Sequence, residues 1–309
     1  PNSIYDEYEK YTINYKREYG EKTVVYLVCG SFFEIYSAGD NLVDMKTISE
    51  ILKIQISRRD KKITTVDRSN YNMMGFPEYT LMKFVKLMTD QNWTVVVIGP
   101  TEPGSRPQKR DVTDIFSPST IIDNVDSYET NNLISMYFQE IPICRSQKKS
   151  LIVGVSIIDV STGVNYTYET SGTSHDSMLS LDTCYRLITI HNPKEILLFG
   201  DVTTYDIDYI IKYLELNARC VHNRLNNYNR EVLKVIYQVR VLYKVFQVNS
   251  MLSPIEYLDL ERLPNALVSY VALLQFAMSH NENILSRIQK PQMIIDDNKL
   301  ILYHFKLLC

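Results

Sequence analysis

Residues 23–36 have the sequence TVVYLVCGSFFEIY, and this stretch decides the architecture of the first part of the chain. Its first half, residues 23–29, is apolar and rich in β-branched side chains, which predicts a buried strand. Gly30 follows that strand and lets the backbone approach another surface closely. Phe32, two residues further, can project from the next loop as an apolar wedge, and Glu34 places a carboxylate beside it.

This Gly-x-Phe-x-Glu pattern has two interpretations. Proteins that bind the DNA minor groove insert apolar wedges between base steps. A carboxylate suits such a site only if it hydrogen-bonds a base edge, because phosphates repel it. In the alternative interpretation, Phe32 and Phe33 are both core residues and Glu34 is a surface charge.

Helix and strand signals alternate outward from this stretch. Tyrosines at positions 5, 8, 15 and 19 recur at helical spacing before Gly20, which predicts a helix whose aromatic stripe packs on a sheet. Further helices are predicted over residues 42–52 and 81–92, a second buried strand over 93–98, and a hairpin within 53–68. The alternation predicts an α/β domain.

The predicted hairpin is basic in a chain whose formal net charge is −3. That balance excludes a global basic field, so a nucleic-acid partner must be held by local patches. Residues 53–68 include two acidic residues and six basic ones, which are Lys53, Arg58, Arg59, Lys61, Lys62 and Arg68. Such a patch is a reasonable phosphate clamp, and the alternative is a solvated charged loop.

A second α/β block follows a polar stretch at residues 124–132, which we interpret as a domain boundary. Its predicted strands cover 150–160, 164–168 and 195–199, and its predicted helices cover 178–190 and 205–216. From about residue 229 the pattern is helical, with a short strand predicted at 292–295. Asp159 ends a strand, but only Glu195 accompanies it, so this block offers too few carboxylates for two-metal chemistry.

Several motifs together resemble the MutS family of mismatch-repair proteins. Residues 30–36, GSFFEIY, are similar to the family's G-D-F-Y-E-x-[FY], and residues 73–77, MMGFP, to its M-A-G-[VF]-P. Residues 56–59 and 109–120 resemble two further motifs of the same domain. Residues 159–163, DVSTG, look like a turn of the MutS connector, and residues 266–276 like the helix that opens its core domain.

The resemblance implies an α/β fold class with three parts. These are a mixed-sheet mismatch-recognition domain (1–123), a ribonuclease-H-like connector domain (131–228) and the first helices of an all-α core domain (229–309). It also implies that Phe32 stacks on a mispaired base from the minor groove and that Glu34 hydrogen-bonds that base. The six basic residues would hold the DNA backbone, and Phe33 would face the protein interior.

The departures from the family pattern suggest a lineage. Ser31 replaces the usual Asp and Ser119 the usual Gly; with the Ile-, Asn- and Tyr-rich composition, this resembles the MutS proteins of giant viruses and octocoral mitochondria. Five cysteines without a CxxC pair indicate a reducing compartment and no zinc site. We therefore expect the cytoplasm, a viral factory or a mitochondrion.

The chain is expected to be a piece of a longer protein, since it begins with Pro1 and contains no phosphate-binding G-x-x-x-x-G-K-[ST]. The family's ATPase domain, with ATP and Mg²⁺, would lie beyond it, so we expect no enzyme activity in this part and a homodimer for the whole. Neither a signal peptide nor a membrane span is predicted. Two alternatives stay open: a MutS relative that clamps branched DNA without a wedge, and a nuclease using Asp159.

Overall fold

The structure, a computed structural model, describes residues 4–101, 109–121, 130–142, 149–173, 176–280 and 282–293. The chain forms two compact units, residues 1–121 and 122–309. Each contains a six-stranded mixed sheet, so the predicted α/β class is confirmed. The polar stretch at 124–129, Cys144, Cys309 and residues 294–295 of the last predicted strand lie outside the described residues.

The first unit is a sheet of strand order β3-β4-β2-β1-β5-β6 with helices on both faces. Only β1 and β5 are parallel, and the other neighbours are antiparallel. Its elements are α1 (Ile4–Tyr19), β1 (Thr23–Cys29), β2 (Phe32–Ser37), α2 (Met45–Leu52), β3 (Ser57–Arg58), β4 (Asn72–Pro77), α3 (Leu81–Thr89), β5 (Thr94–Pro100) and β6 (Arg110–Phe116).

The aromatic stripe of α1 packs on this sheet, as its spacing predicts. Tyr5, Tyr8 and Tyr19 are buried, and the Tyr8 ring meets the Tyr36 ring of β2 edge-on at 5.1 Å. Gly20 then ends the helix with a φ of +93°, donating its N–H to the Lys16 carbonyl. The opposite face of the sheet is covered by α3, whose Phe84 lies 4.4 Å from Phe76 of β4.

The prediction of a hairpin within residues 53–68 is wrong. Only Ser57–Arg58 is a strand, and it pairs with β4 rather than with a second strand of the same segment. The rest is loop, because the buried Asn70 side chain replaces a ladder of backbone hydrogen bonds. Its amide donates to the carbonyls of Ile63 and Thr65, and its oxygen accepts from the Asp60 N–H.

The second unit has strand order β11-β10-β7-β8-β9-β12. The run β7-β8-β9 is antiparallel, whereas β10 and β11 run parallel to β7. Its elements are β7 (Asn132–Pro142), β8 (Lys149–Asp159), β9 (Asn165–Ser171), α4 (Leu179–His191), β10 (Glu195–Asp201), α5 (Ile207–Tyr213), β11 (Cys220–Leu225), α6 (Val235–Val245), α7 (Pro254–Tyr257), α8 (Pro264–His280) and β12 (Gln292–Met293).

Helix α8 lies directly on this second sheet. Its first turn is so close to β8 that a Cβ on Gly154 would come within 2.0 Å of the Asn265 carbonyl oxygen. The Glu169 carboxylate of β9 accepts the N–H groups of Asn265 and Ala266, which satisfies two donors at the helix start. Within the described residues, no helix has the length and apolar character needed to cross a membrane.

Candidate nucleic-acid interface

Phe32 stands at the end of a tight hairpin. Cys29 of β1 pairs with Phe32 of β2, so the connection is the two-residue turn Gly30-Ser31. Gly30 has a φ of +62°, which such turns require and which glycine adopts without steric cost. A short turn between two paired strands gives Phe32 a fixed position at the edge of the fold.

Alternation along β2 separates the two phenylalanines of the motif. Phe32 is 47% exposed, whereas Phe33 is 4% exposed and packs near Phe76 on the α3 side of the sheet. The interpretation that both rings are core residues is therefore wrong. Glu34 and Tyr36 share the face of Phe32, because side chains two apart on a strand point the same way.

Glu34 is half-buried between the exposed Phe32 and the buried Tyr36. The Tyr36 hydroxyl donates a hydrogen bond to Glu34 Oε2. Gly75 of β4 is directly opposite Glu34, and a Cβ there would lie 2.9 Å from the Phe33 carbonyl oxygen and 3.3 Å from Glu34 Cγ. The glycine of the MMGFP motif thus leaves room for the carboxylate side chain.

Tyr36 also touches the thiol of Cys29, whose Sγ is 3.3 Å from the hydroxyl oxygen. Burial is the main cause that raises the pKa of the Cys29 thiol and, strongly, the pKa of the Tyr36 hydroxyl. Both groups therefore keep their protons at neutral pH.

Two exposed apolar side chains lie beside the hairpin and were missed in the sequence. The Glu78 N–H donates to the Ser31 carbonyl at 2.9 Å, which fixes the short 3₁₀ turn Glu78–Thr80 against the Gly30-Ser31 turn. Tyr79 in that turn is 89% exposed, and Met82 in the first turn of α3 is 52% exposed. No sequence pattern marks them, since their exposure follows from where β4 ends.

The basic residues of the 53–68 segment lie toward the other end of the β2–β4 ladder. Phe32 pairs with Pro77 and Arg58 with Asn72, five residues apart along β4. At about 3.4 Å per residue the two ends are about 17 Å apart, the length of about five base-pair steps at 3.4 Å each.

These six residues differ in how they are held. Lys53, Lys61 and Lys62 are exposed. Arg58 Nη1 donates to the Thr64 carbonyl at 3.0 Å, and the Arg59 guanidinium lies over the Tyr71 ring.

Arg68 differs because its guanidinium is paired with Asp6 and Glu9 of α1. Arg110 of β6 is likewise paired with Glu7 of α1, at 2.8 Å. Both arginines therefore tie α1 to its own unit.

The Asp159 side chain of the second unit stabilises the turn that follows β8. Its carboxylate accepts hydrogen bonds from the N–H groups of Asn131 and Ser161 and from the Thr162 hydroxyl. Within the described ranges, the group of side chains that could hold a metal ion does not include Asp159. Glu195, Cys220 and His222 are buried, and their ligand atoms lie within 4.8 Å of one another.

Comparison with known proteins identifies the first unit. The family model of MutS domain I matches residues 8–125, which include the hairpin, Glu34 and the basic segment. The first unit is therefore similar to domain I of the MutS family. Relatives named as MutS proteins match nearly all of the chain's length, which supports an N-terminal part of a MutS protein.

Three MutS relatives illustrate the match. A putative DNA mismatch repair protein mutS homolog of Acanthamoeba polyphaga mimivirus is 27% identical over 97% of this chain and 29% of its own length. The mitochondrial DNA mismatch repair protein mutS homolog of Sarcophyton glaucum is 23% identical over 90% of this chain and 32% of its own length. DNA mismatch repair protein MutS of Prochlorococcus marinus (strain AS9601) is 23% identical over 95% of this chain and 30% of its own length. The chain thus spans about a third of these MutS proteins.

Proposed function

We propose that this chain recognises mispaired or looped double-stranded DNA for mismatch repair. The observation that carries the proposal is the exposure of Phe32 on a rigid hairpin while its neighbour Phe33 is buried. Phe32 enters the minor groove and stacks on the mispaired base, and Glu34 hydrogen-bonds that base. A mismatch has already lost pairing and stacking, so kinking the duplex costs less there than in a paired duplex.

The basic side chains of the 53–68 segment hold the DNA backbone at a distance from the wedge. We assign this role to Lys53, Arg58, Arg59, Lys61 and Lys62, and to Arg68 once phosphates compete with its two carboxylate partners. Contacts to phosphates fix position and carry no sequence information. Phe32 then senses how easily the duplex deforms at that point.

The proposal extends to the whole protein, in line with relatives that are named DNA mismatch repair proteins. We divide this chain into a mismatch-recognition domain (1–123), a connector (131–228) and the start of a helical core (229–309). The second sheet, three antiparallel strands followed by two parallel ones, supports a ribonuclease-H-like connector. ATP and Mg²⁺ bind elsewhere in a homodimeric protein that works in a reducing compartment, and this part has no enzyme activity.

The test is the substitution Phe32→Ala in the chain of residues 1–309. Affinity is measured for a duplex with one mismatch and for the same duplex fully paired. Loss of one base–aromatic stack costs about 1–3 kcal/mol, so we expect the mismatch preference to fall about fivefold to a hundredfold while weak, salt-sensitive binding persists.

Tyr209→Ala is the matched control, because Tyr209 is an aromatic residue of the second unit with a similar exposure of 46%. It should leave the preference unchanged. An unchanged preference in Phe32→Ala would refute the wedge. Tighter binding of a four-way junction than of a mismatch would favour a family member that clamps branched DNA.

A further inference from the structure

Three side chains around the proposed base contact form a directed hydrogen-bond chain. The Tyr36 hydroxyl touches Cys29 Sγ at 3.3 Å and donates to Glu34 Oε2. A hydroxyl has one proton to donate. Since Tyr36 gives it to Glu34, the Cys29 thiol must be the donor in the other contact.

The direction of this chain is fixed because neither proton is easily lost. Burial raises the pKa values of both the thiol and the phenol. The Tyr36 ring is also held rigidly, with 1% exposure and ring contacts to Tyr8 at 5.1 Å and Tyr71 at 4.8 Å. Glu34 Oε2 thus faces a donor in a fixed place, which leaves Oε1 for a base.

We infer that Tyr36 is a positioning residue that fixes Glu34 as a hydrogen-bond acceptor, so that the site favours mispaired bases offering a ring N–H donor. This inference rests on the proposed function of Phe32 and Glu34. An ionised carboxylate offers only acceptor sites to the base, and the bond from the Tyr36 hydroxyl holds one of its two oxygens in place. Thymine and guanine carry a ring N–H on the pairing edge, whereas the corresponding ring nitrogens of cytosine and adenine are acceptors.

The experiment compares two probes that differ at one donor. One duplex carries a single unpaired thymine, and the other carries N3-methylthymine at the same place, which removes the ring N–H. We expect the wild-type chain to bind the thymine duplex more tightly by about twofold to tenfold, the range for one net hydrogen bond. Tyr36→Phe should bring this ratio close to one.

Tyr26→Phe is the matched control. Tyr26 is a fully buried tyrosine of the same unit, and its hydroxyl donates to the Phe84 carbonyl, far from Glu34 on the other face of the sheet. It removes a comparable hydroxyl and should keep the wild-type ratio. Both affinities of a variant are measured on one sample, so any unfolded fraction cancels from the ratio.

The outcomes separate this inference from the proposed function. A wild-type ratio of one, or a Tyr36→Phe ratio equal to that of the wild type, overturns the role of Tyr36. The proposed function still stands in that case if Phe32→Ala abolishes the preference for unpaired thymine over paired DNA. If the wild type shows no such preference, the proposed function itself fails.

Discussion

At the residue scale, one alternating strand produces both the core and the candidate site. Phe33 and Ile35 of β2 are buried on one face, while Phe32, Glu34 and Tyr36 on the other pass from exposed to buried. The change follows from α1, whose Tyr8 covers Tyr36. The site is therefore anchored at its buried end and open at the wedge, which suits a side chain that must enter a groove without moving its support.

Gly75→Ala tests how closely this residue-scale packing is fitted. The new Cβ would meet the Phe33 carbonyl oxygen at 2.9 Å and Glu34 Cγ at 3.3 Å, so the strands must shift or Glu34 must move. We expect a loss of about 1–3 kcal/mol of unfolding free energy and a weaker mismatch preference. Urea unfolding followed by the fluorescence of Trp93, the single tryptophan, measures the first.

Gly99→Ala on β5 is the control for that prediction. It is the same substitution in the same sheet, but the Cβ would meet the γ-methyl of the Thr113 side chain rather than backbone. It should cost less than Gly75→Ala and leave mismatch preference intact. Equal losses in the two variants would show that the opening opposite Glu34 has no special importance.

At the element scale, hydrophobic periodicity predicted most of the fold. The strand at residues 23–29 was predicted to the residue, and the helices predicted at 42–52 and 205–216 are shorter only at their ends, at Met45–Leu52 and Ile207–Tyr213. Local patterns failed where side chains at a distance decide the structure. Asn70 turns the basic segment into a loop, and only the register of β10 with β11 brings Glu195 and Cys220 together.

The element-scale prediction concerns the C-terminal end of α8. His280 is 8% exposed, and burial lowers its pKa to about 4 from an ordinary 6.5, although nearby Glu195 opposes this. The unfolded chain takes up a proton below pH 6.5 and the folded chain does not until about pH 4. The contribution of His280 to stability is therefore constant above pH 6.5, and about 3 kcal/mol of stability is lost through this group as the pH falls from 6.5 to 4. Burial also lowers the pKa of His191, which adds a loss in the same direction to the wild type and the variant alike.

His280→Asn is the informative variant for this pH dependence. His280 Nδ1 contacts the Phe276 carbonyl at 2.7 Å, and the asparagine amide can make a similar contact without titrating. Urea unfolding followed by circular dichroism should show a flatter profile for the variant between pH 6.5 and 4.5. Glu140, with a pKa lowered to about 2, adds its own loss only below about pH 4.5. Parallel profiles in that range would contradict the assignment to His280.

At the scale of the whole molecule, the basic segment concentrates positive charge in a chain whose net charge is negative. The formal net charge is −3, so the DNA binding that we propose must rely on the basic segment rather than on the overall field. Arg58 of that segment lies about 17 Å along the β2–β4 ladder from Phe32, by the rise of a strand. Backbone holding and mismatch sensing are therefore separable: one set of side chains should set affinity and another should set discrimination.

Reversing Arg58 and Arg59 to glutamate tests this separation. Removing one phosphate-binding cation makes the dependence of log affinity on log salt less steep by about 0.9, so the double variant should have a slope that is smaller by about two units. It should weaken binding to paired and mismatched duplexes by the same factor. The control is Arg240→Glu with Arg262→Glu, which makes the same change in net charge at two exposed arginines of the second unit. If the control weakens binding equally, overall charge governs affinity; if only mismatch binding falls in the first variant, the basic segment belongs to the sensing site.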